Sequence, residues 1–237
     1  MGKIKISAIV LFGGSYDKKL LDKCFSSLSW VDEIVKVDTN KQKGNFSNWR
    51  NNGAKKAKGN WLLYVDSDEE VTKELKDLVG KVTQTDEFSA YAIPRRNILL
   101  GHEMKHGGWK PDYVLRLIRK DKLKGWKGEL HEQPEIEGKI GHLNQPLIHT
   151  THRSLGEMVD KTNEWSEIEA KLLFDANHPK MNICRFFSAG TREFFYRGVK
   201  KLGFLDGTVG MIEVMYQTFS RMITYSKLWE MQIKDKK

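Results

Sequence analysis

Trp61-Leu62-Leu63-Tyr64-Val65-Asp66-Ser67-Asp68 decides the reading of this chain. Its first five residues are apolar without a break, the pattern of a strand buried on both faces of a sheet. Two carboxylates, Asp66 and Asp68, follow at the C-terminal end of that strand. In an open α/β sheet, ligands bind outside the carboxyl ends of the strands. Carboxylate oxygens also suit Mg²⁺ or Mn²⁺, and such a cation can hold a diphosphate. An acidic turn standing alone is commonly just solvated, so its surroundings must decide.

Around this stretch, strand-like and helix-like segments alternate. Residues 5–12, 33–37 and 61–65 read as strands. Residues 18–28, 46–58 and 73–82 carry helical apolar spacing, for example Leu75, Leu78, Val79 and Val82, with Gly59 as a helix stop. Such alternation predicts a parallel sheet with helices on its faces. From Phe88 the pattern changes, and residues 89–94, 113–119 and 138–149 read as separate strands on long connections. Gly107, Gly108, Trp109 and Trp126 fall in this region, where such residues build either ligand-binding loops or ordinary turns. Beyond Ser154, which with Glu157 fits a capping box, the chain reads as helical. The expected division is a first domain over 1–152 and a helical C-terminal extension over 153–237 packed on it.

Composition sets limits on function. The chain has 237 residues, 39% hydrophobic and 30% charged, a globular composition that excludes disorder. No apolar run approaches the roughly 18 residues that span a bilayer. The N-terminal run at residues 6–12 is strand-length and reads as a first strand, not a signal peptide, so the expected location is cytoplasmic. Cys24 and Cys184 are too few for a disulfide framework or a Cys-based zinc site and read as small buried hydrophobes. The net charge of +9 favours anionic partners. Nucleic acid is not expected among them, because the basic residues are spread widely and no nucleic-acid motif is present. In the extension, apolar stripes run beside Arg185, Arg192, Arg197, Lys200 and Lys201. Such stripes either pack on one another or lie peripherally on an anionic membrane.

Several stretches together resemble family 2 glycosyltransferases. They are residues 28–38 (Leu-Ser-Trp-Val-Asp-Glu-Ile-Val-Lys-Val-Asp), Arg50-Asn51 and residues 59–69 around the acidic motif. Leu115-Arg116-Leu117-Ile118-Arg119, Glu129-Leu130-His131-Glu132, Leu147-Ile148-His149 and Gly203-Phe204-Leu205-Asp206-Gly207 resemble a narrower branch, the bacterial lipopolysaccharide-core β-glucosyltransferases. The resemblance implies a GT-A fold: a mixed α/β sheet flanked by helices. It also implies a nucleotide-sugar donor, a UDP-sugar first, and transfer of a hexose with inversion to a cell-envelope or lipid-linked saccharide or glycolipid. Asp68 is then the principal ligand of Mg²⁺ or Mn²⁺, with Asp66 at the donor ribose or the metal. His149 is a further candidate ligand, or a structural histidine. Asp38 is placed to accept a hydrogen bond from a uracil ring N–H. Arg50 is placed for the donor phosphates, or is simply a solvated helix residue. Glu132, with His131 beside it and Glu129 in reserve, is the candidate base, or a solvated loop carboxylate. Trp109 is a candidate for stacking on the acceptor sugar, or a half-buried core residue. Two segments depart from the family: Phe12-Gly13-Gly14-Ser15-Tyr16-Asp17 replaces an Asn-Glu-Glu-like turn, and residues 39–45 replace a longer helix and strand. The shortened nucleotide side leaves an alternative open, a non-catalytic GT-A protein that binds saccharide or membrane.

Overall fold

A computed structural model describes residues 5–14, 16–128 and 132–234. The chain divides into two compact units, Met1–Arg96 with Pro111–Thr150, and Asn97–Lys110 with Thr151–Lys237.

The first unit is built on β1 (Ile6–Phe12), α1 (Lys18–Ser27), β2 (Glu33–Asp38), α2 (Phe46–Lys56), β3 (Trp61–Asp66), β4 (Glu69–Val71) and α3 (Lys73–Val82). There follow β5 (Ala90–Leu99), β6 (His102–Glu103), which belongs to the second unit, and β7 (Tyr113–Arg119). The series ends with β8 (Leu123–Lys127), β9 (Gln133–Ile136), β10 (Ile140–His142) and β11 (Leu147–Thr151). β1 pairs in parallel with β2 and with β3, Ile9 lying opposite Val35 on one side and Tyr64 on the other. β7 then runs antiparallel to β3 and to β5, so the sheet is mixed, in the order β2-β1-β3-β7-β5-β11-β4. This is the mixed, helix-flanked α/β architecture of the GT-A type.

Alternation along β1 and β3 explains why both strands are apolar throughout. Ala8, Val10, Leu63 and Val65 face one core with Leu21 and Cys24 of α1 and Leu75 and Val79 of α3. Ile9, Leu11, Leu62 and Tyr64 face a second core with Trp49 and Ala54 of α2 and with Trp126. The expected helix over 46–58 ends earlier, at Lys56, and Gly59 is not its stop. Gly59 instead passes close to β1: its N–H donates to Ser7 Oγ at 2.8 Å, and a Cβ there would lie 2.7 Å from the Ser7 backbone nitrogen. The segment read as one strand over 138–149 is two strands, β10 and β11. Pro146, which has no N–H for a ladder, stands immediately before β11.

The second unit contains α4 (Leu155–Asp175), α5 (Ile183–Phe194) and α6 (Gly207–Lys234). Ser154 caps α4 as its spacing predicts, its Oγ accepting from Glu157 N at 3.1 Å. α4 and α6 are tied by the Tyr216 hydroxyl, which donates to the Met158 carbonyl at 2.7 Å and accepts from Thr162 Oγ1 at 2.7 Å. A small core forms around Ala170, Met181 and Leu228. A π-helical turn, Phe195–Lys200, continues α5. Cys24 is buried as expected, but Cys184 is exposed, on the outer side of α5. Among the described residues no helix is long and apolar enough to cross a membrane.

Candidate active site

The end of β3 carries a knot of opposite charges, buried except at Asp66, whose side chain is 30% exposed. Asp66 Oδ1 accepts from Arg50 Nη2 of α2 at 3.0 Å, and its Oδ2 accepts from the same nitrogen at 3.3 Å and from Arg116 Nη2 of β7. Arg116 Nη2 also donates to Glu69 Oε1 at 2.8 Å, while Glu69 Oε2 accepts from the Asp66 N–H at 3.0 Å. Arg95 stands at the edge, its Nη1 3.6 Å from Glu69 Oε1 and its Nε donating to Asp112 Oδ2 at 2.8 Å. On the other side Arg50 Nε donates to Glu132 Oε1 at 3.0 Å. The Arg50 guanidinium also lies 4.9 Å from the centre of the Trp126 ring, a cation–π contact.

Arg50, Glu69 and Arg116 are 3%, 1% and 4% exposed, so each charge depends on its neighbours for solvation. Burial disfavours ionised Asp66, but the guanidiniums of Arg116 and Arg50 outweigh it and hold the carboxyl well below the usual carboxylate range. Burial likewise opposes the charge on Arg116, and Asp66 and Glu69 overcome it. Nearby, burial pushes the Cys24 thiol far up, leaving it an inert donor to the Asp66 carbonyl at 3.5 Å.

Asp68 stands apart from this knot. Its side chain is 32% exposed, and its Oδ2 lies 3.6 Å from His149 Nε2 on β11. β11 reaches this place because it pairs with β4, His149 opposite Glu69, and because Thr150 N donates to the Asp68 carbonyl at 2.9 Å. Among the described residues no group of three or more His, Cys, Asp and Glu is assembled to hold a metal ion. Asp68 and His149 alone supply two donors. That suits a cation which keeps waters or substrate phosphates as its remaining ligands, as Mg²⁺ and Mn²⁺ do. Asp66 fits poorly as a third, because both its oxygens already accept from arginines.

The other candidates fall as follows. Asp38 ends β2 and accepts from Asn40 N at 3.1 Å, with Lys41 Nζ 3.2 Å away. Residues 39–45 make one 3-10 turn and then lead into α2, which Asn45 caps through Asn48 N. Trp109 belongs to the second unit, where its half-buried ring meets His152 edge-on at 5.9 Å. His131 and Glu129 lie outside the described residues. Sequence reasoning passed over Glu69, Arg95 and the charge of Arg116. A signal existed for the last: an arginine inside the apolar run Leu115–Ile118 needs a buried counter-charge.

The sequence profile described as Glycosyl transferase family 2 matches residues 5–135. An uncharacterized glycosyltransferase of Rickettsia felis is 24% identical over 188 residues, covering 74% of this chain and 66% of its own length. A second, from Rickettsia conorii, is 23% identical with the same coverage. The chain therefore spans just under two thirds of the length of these relatives. Among solved structures, S. aureus TarS 1-349 in complex with UDP-GlcNAc aligns with a TM-score of 0.48 at 16% identity, over 98% of this chain and 92% of that one.

Proposed function

This chain belongs to glycosyl transferase family 2, and from that premise we propose that it transfers a hexose from a nucleotide-diphosphate sugar, a UDP-sugar, to a cell-envelope or lipid-linked saccharide, with inversion at the anomeric carbon. The observation that carries this reading is the division of labour at the end of β3, with Asp66 clamped by two arginines and Asp68 left beside His149.

Asp68 and His149 would hold a divalent cation, which when bound offsets charge on the departing diphosphate. Asp66 holds the Arg50 guanidinium in place. Arg50 Nη1 is buried and has no hydrogen-bond partner among the described residues, so Arg50 acts on a donor diphosphate through its charge. Asp38, at the end of the neighbouring parallel strand, accepts from the uracil ring N–H. Glu132, with His131 next to it in sequence, takes the proton of the acceptor hydroxyl. Arg50 Nε holds Glu132 Oε1, so Oε2 is the accepting atom.

The short path from Asp38 to α2 favours a second reading, a GT-A protein that binds saccharide or membrane without turnover. Calorimetric titration of UDP, and then GDP, with and without Mn²⁺ separates the two. The enzyme reading expects Mn²⁺-dependent binding of UDP that disappears in Asp68→Ala. If neither nucleotide binds in the presence of Mn²⁺, the transferase reading is lost and the non-catalytic one stands.

A further inference from the structure

α5 and the turns after it are amphipathic the wrong way round for a helix facing water. Apart from Phe186, which packs on the core around Leu228, the side turned to α6 is small: Ala189, Gly190 and Gly198 are buried, and a Cβ on Gly190 would meet Met222 at 3.0 Å. Away from that contact the side chains are large and apolar. Ile183, Phe187, Phe195 and Val199 are 72%, 58%, 63% and 52% exposed, and Phe204 and Leu205 are half exposed beyond them. Their four-residue spacing would drift round a regular α-helix. The wider π-helical turn at Phe195–Lys200 counters that drift.

Charge on the same segment points one way. Between Lys180 and Lys201 it holds six cations and a single acid, Glu193. Glu193 is already engaged, its Oε1 accepting from Arg197 Nε at 2.5 Å. Arg185, Arg192 and Lys200 are exposed among the apolar residues. A second copy seated on this face by a two-fold axis would bring the cations of both chains together. An anionic lipid surface accepts both the apolar side chains and the cations.

We propose that the α5 face is an interfacial binding surface for anionic phospholipid. Since no described helix can span a bilayer, the contact lies in the headgroup region. The proposal does not depend on the glycosyltransferase reading, because binding is measured without donor or metal.

The test is co-sedimentation of the full chain with phosphatidylethanolamine vesicles containing about 30% phosphatidylglycerol, against phosphatidylcholine alone. Binding to the anionic vesicles only is expected. Arg185→Ala with Arg192→Ala should weaken it about thirtyfold, at about one lipid-facing charge each. Phe187→Ser with Phe195→Ser should weaken it at least about tenfold. Circular dichroism checks that each pair remains folded, and the arginine pair carries the test if the phenylalanine pair does not. The proposal is overturned by no sedimentation with anionic vesicles, or by sedimentation that the folded variants leave unchanged. It is equally overturned if light scattering finds an oligomer that Phe187→Ser with Phe195→Ser dissolves, since a second copy would then own the face.

Discussion

A carboxylate gripped by two guanidiniums has little left to offer a metal, and this separates Asp66 from Asp68, two residues further on. Arg116 lies 4% exposed between Asp66 and Glu69. Arg116→Ala would leave Asp66 with Arg50 alone and buried Glu69 with only the more distant Arg95 as a counter-charge, and a loss of about 3–5 kcal/mol is expected in urea unfolding. Asp68→Ala removes a partly exposed side chain from a turn, so stability should stay within about 0.5 kcal/mol of the parent. Mn²⁺-dependent UDP binding should nevertheless vanish by calorimetry. Comparable destabilisation by the two substitutions would place Asp68 inside the knot and remove its proposed role. The acidic motif was legible because it directly follows an unbroken apolar strand. Its wiring was not, since Arg50 and Arg116 reach Asp66 across 16 and 50 residues of chain. Local pattern carries no record of such pairings.

At the scale of elements, α3 and β7 have the bounds that apolar spacing predicts, Lys73–Val82 and Tyr113–Arg119. α3 has a strong period with one buried face, and β7 is an apolar run broken only by Arg116 before it ends at Arg119. β4 has three residues and two of them are glutamates, so its strand character comes from pairing with β11 and is invisible locally. The β8–β9 hairpin escaped for a related reason: Leu123-Lys124-Gly125-Trp126-Lys127 mixes lysines with a glycine, which is depleted in strands. α2 shows how closely its element must fit. A Cβ on Gly53 would come within 2.5 Å of Ile9 Cγ2, so Gly53→Ala should cost about 1–3 kcal/mol in chemical denaturation despite better helix propensity. At the start of α4, Glu157 Oε2 accepts from the Arg153 N–H and Nε, both at 3.0 Å, and Arg153 Nη2 donates to Oε1 at 2.8 Å. The bonds from the Arg153 side chain come first in holding the Glu157 carboxyl down at about 2. A depressed carboxyl contributes stability above its unfolded value of 4.5, and that contribution is lost as pH falls through about 2. Glu157→Gln should therefore be less stable than the parent at neutral pH, by about 1 kcal/mol. The gap should close between those two values in a pH series of thermal melts. A constant gap would mean that the carboxylate charge is irrelevant to the cap.

For the molecule as a whole, the net charge of +9 complicates any binding claim, because a basic protein attracts every nucleotide to some degree. Salt distinguishes a built site from diffuse attraction. At roughly 0.5 M salt the Debye length is about 4 Å, so contacts through a bound cation persist while the surface field is screened. Unfolding of a chain with two compact units need not be a single transition, which makes local protection a cleaner readout than one melting temperature. Ligand at a hundredfold over its Kd stabilises the state that binds it by about 2.7 kcal/mol. With UDP and Mn²⁺ at that excess and in high salt, amide exchange should slow at the end of β3, through β4 and along β11. Those segments bring Asp68 and His149 together, so they should respond as a group. Chelating the metal should return them to the rate of the free protein, and helices α4 to α6 should change little. Protection that needs no metal, or that salt removes, would assign the nucleotide to the basic surface and take Asp68 and His149 out of the donor site.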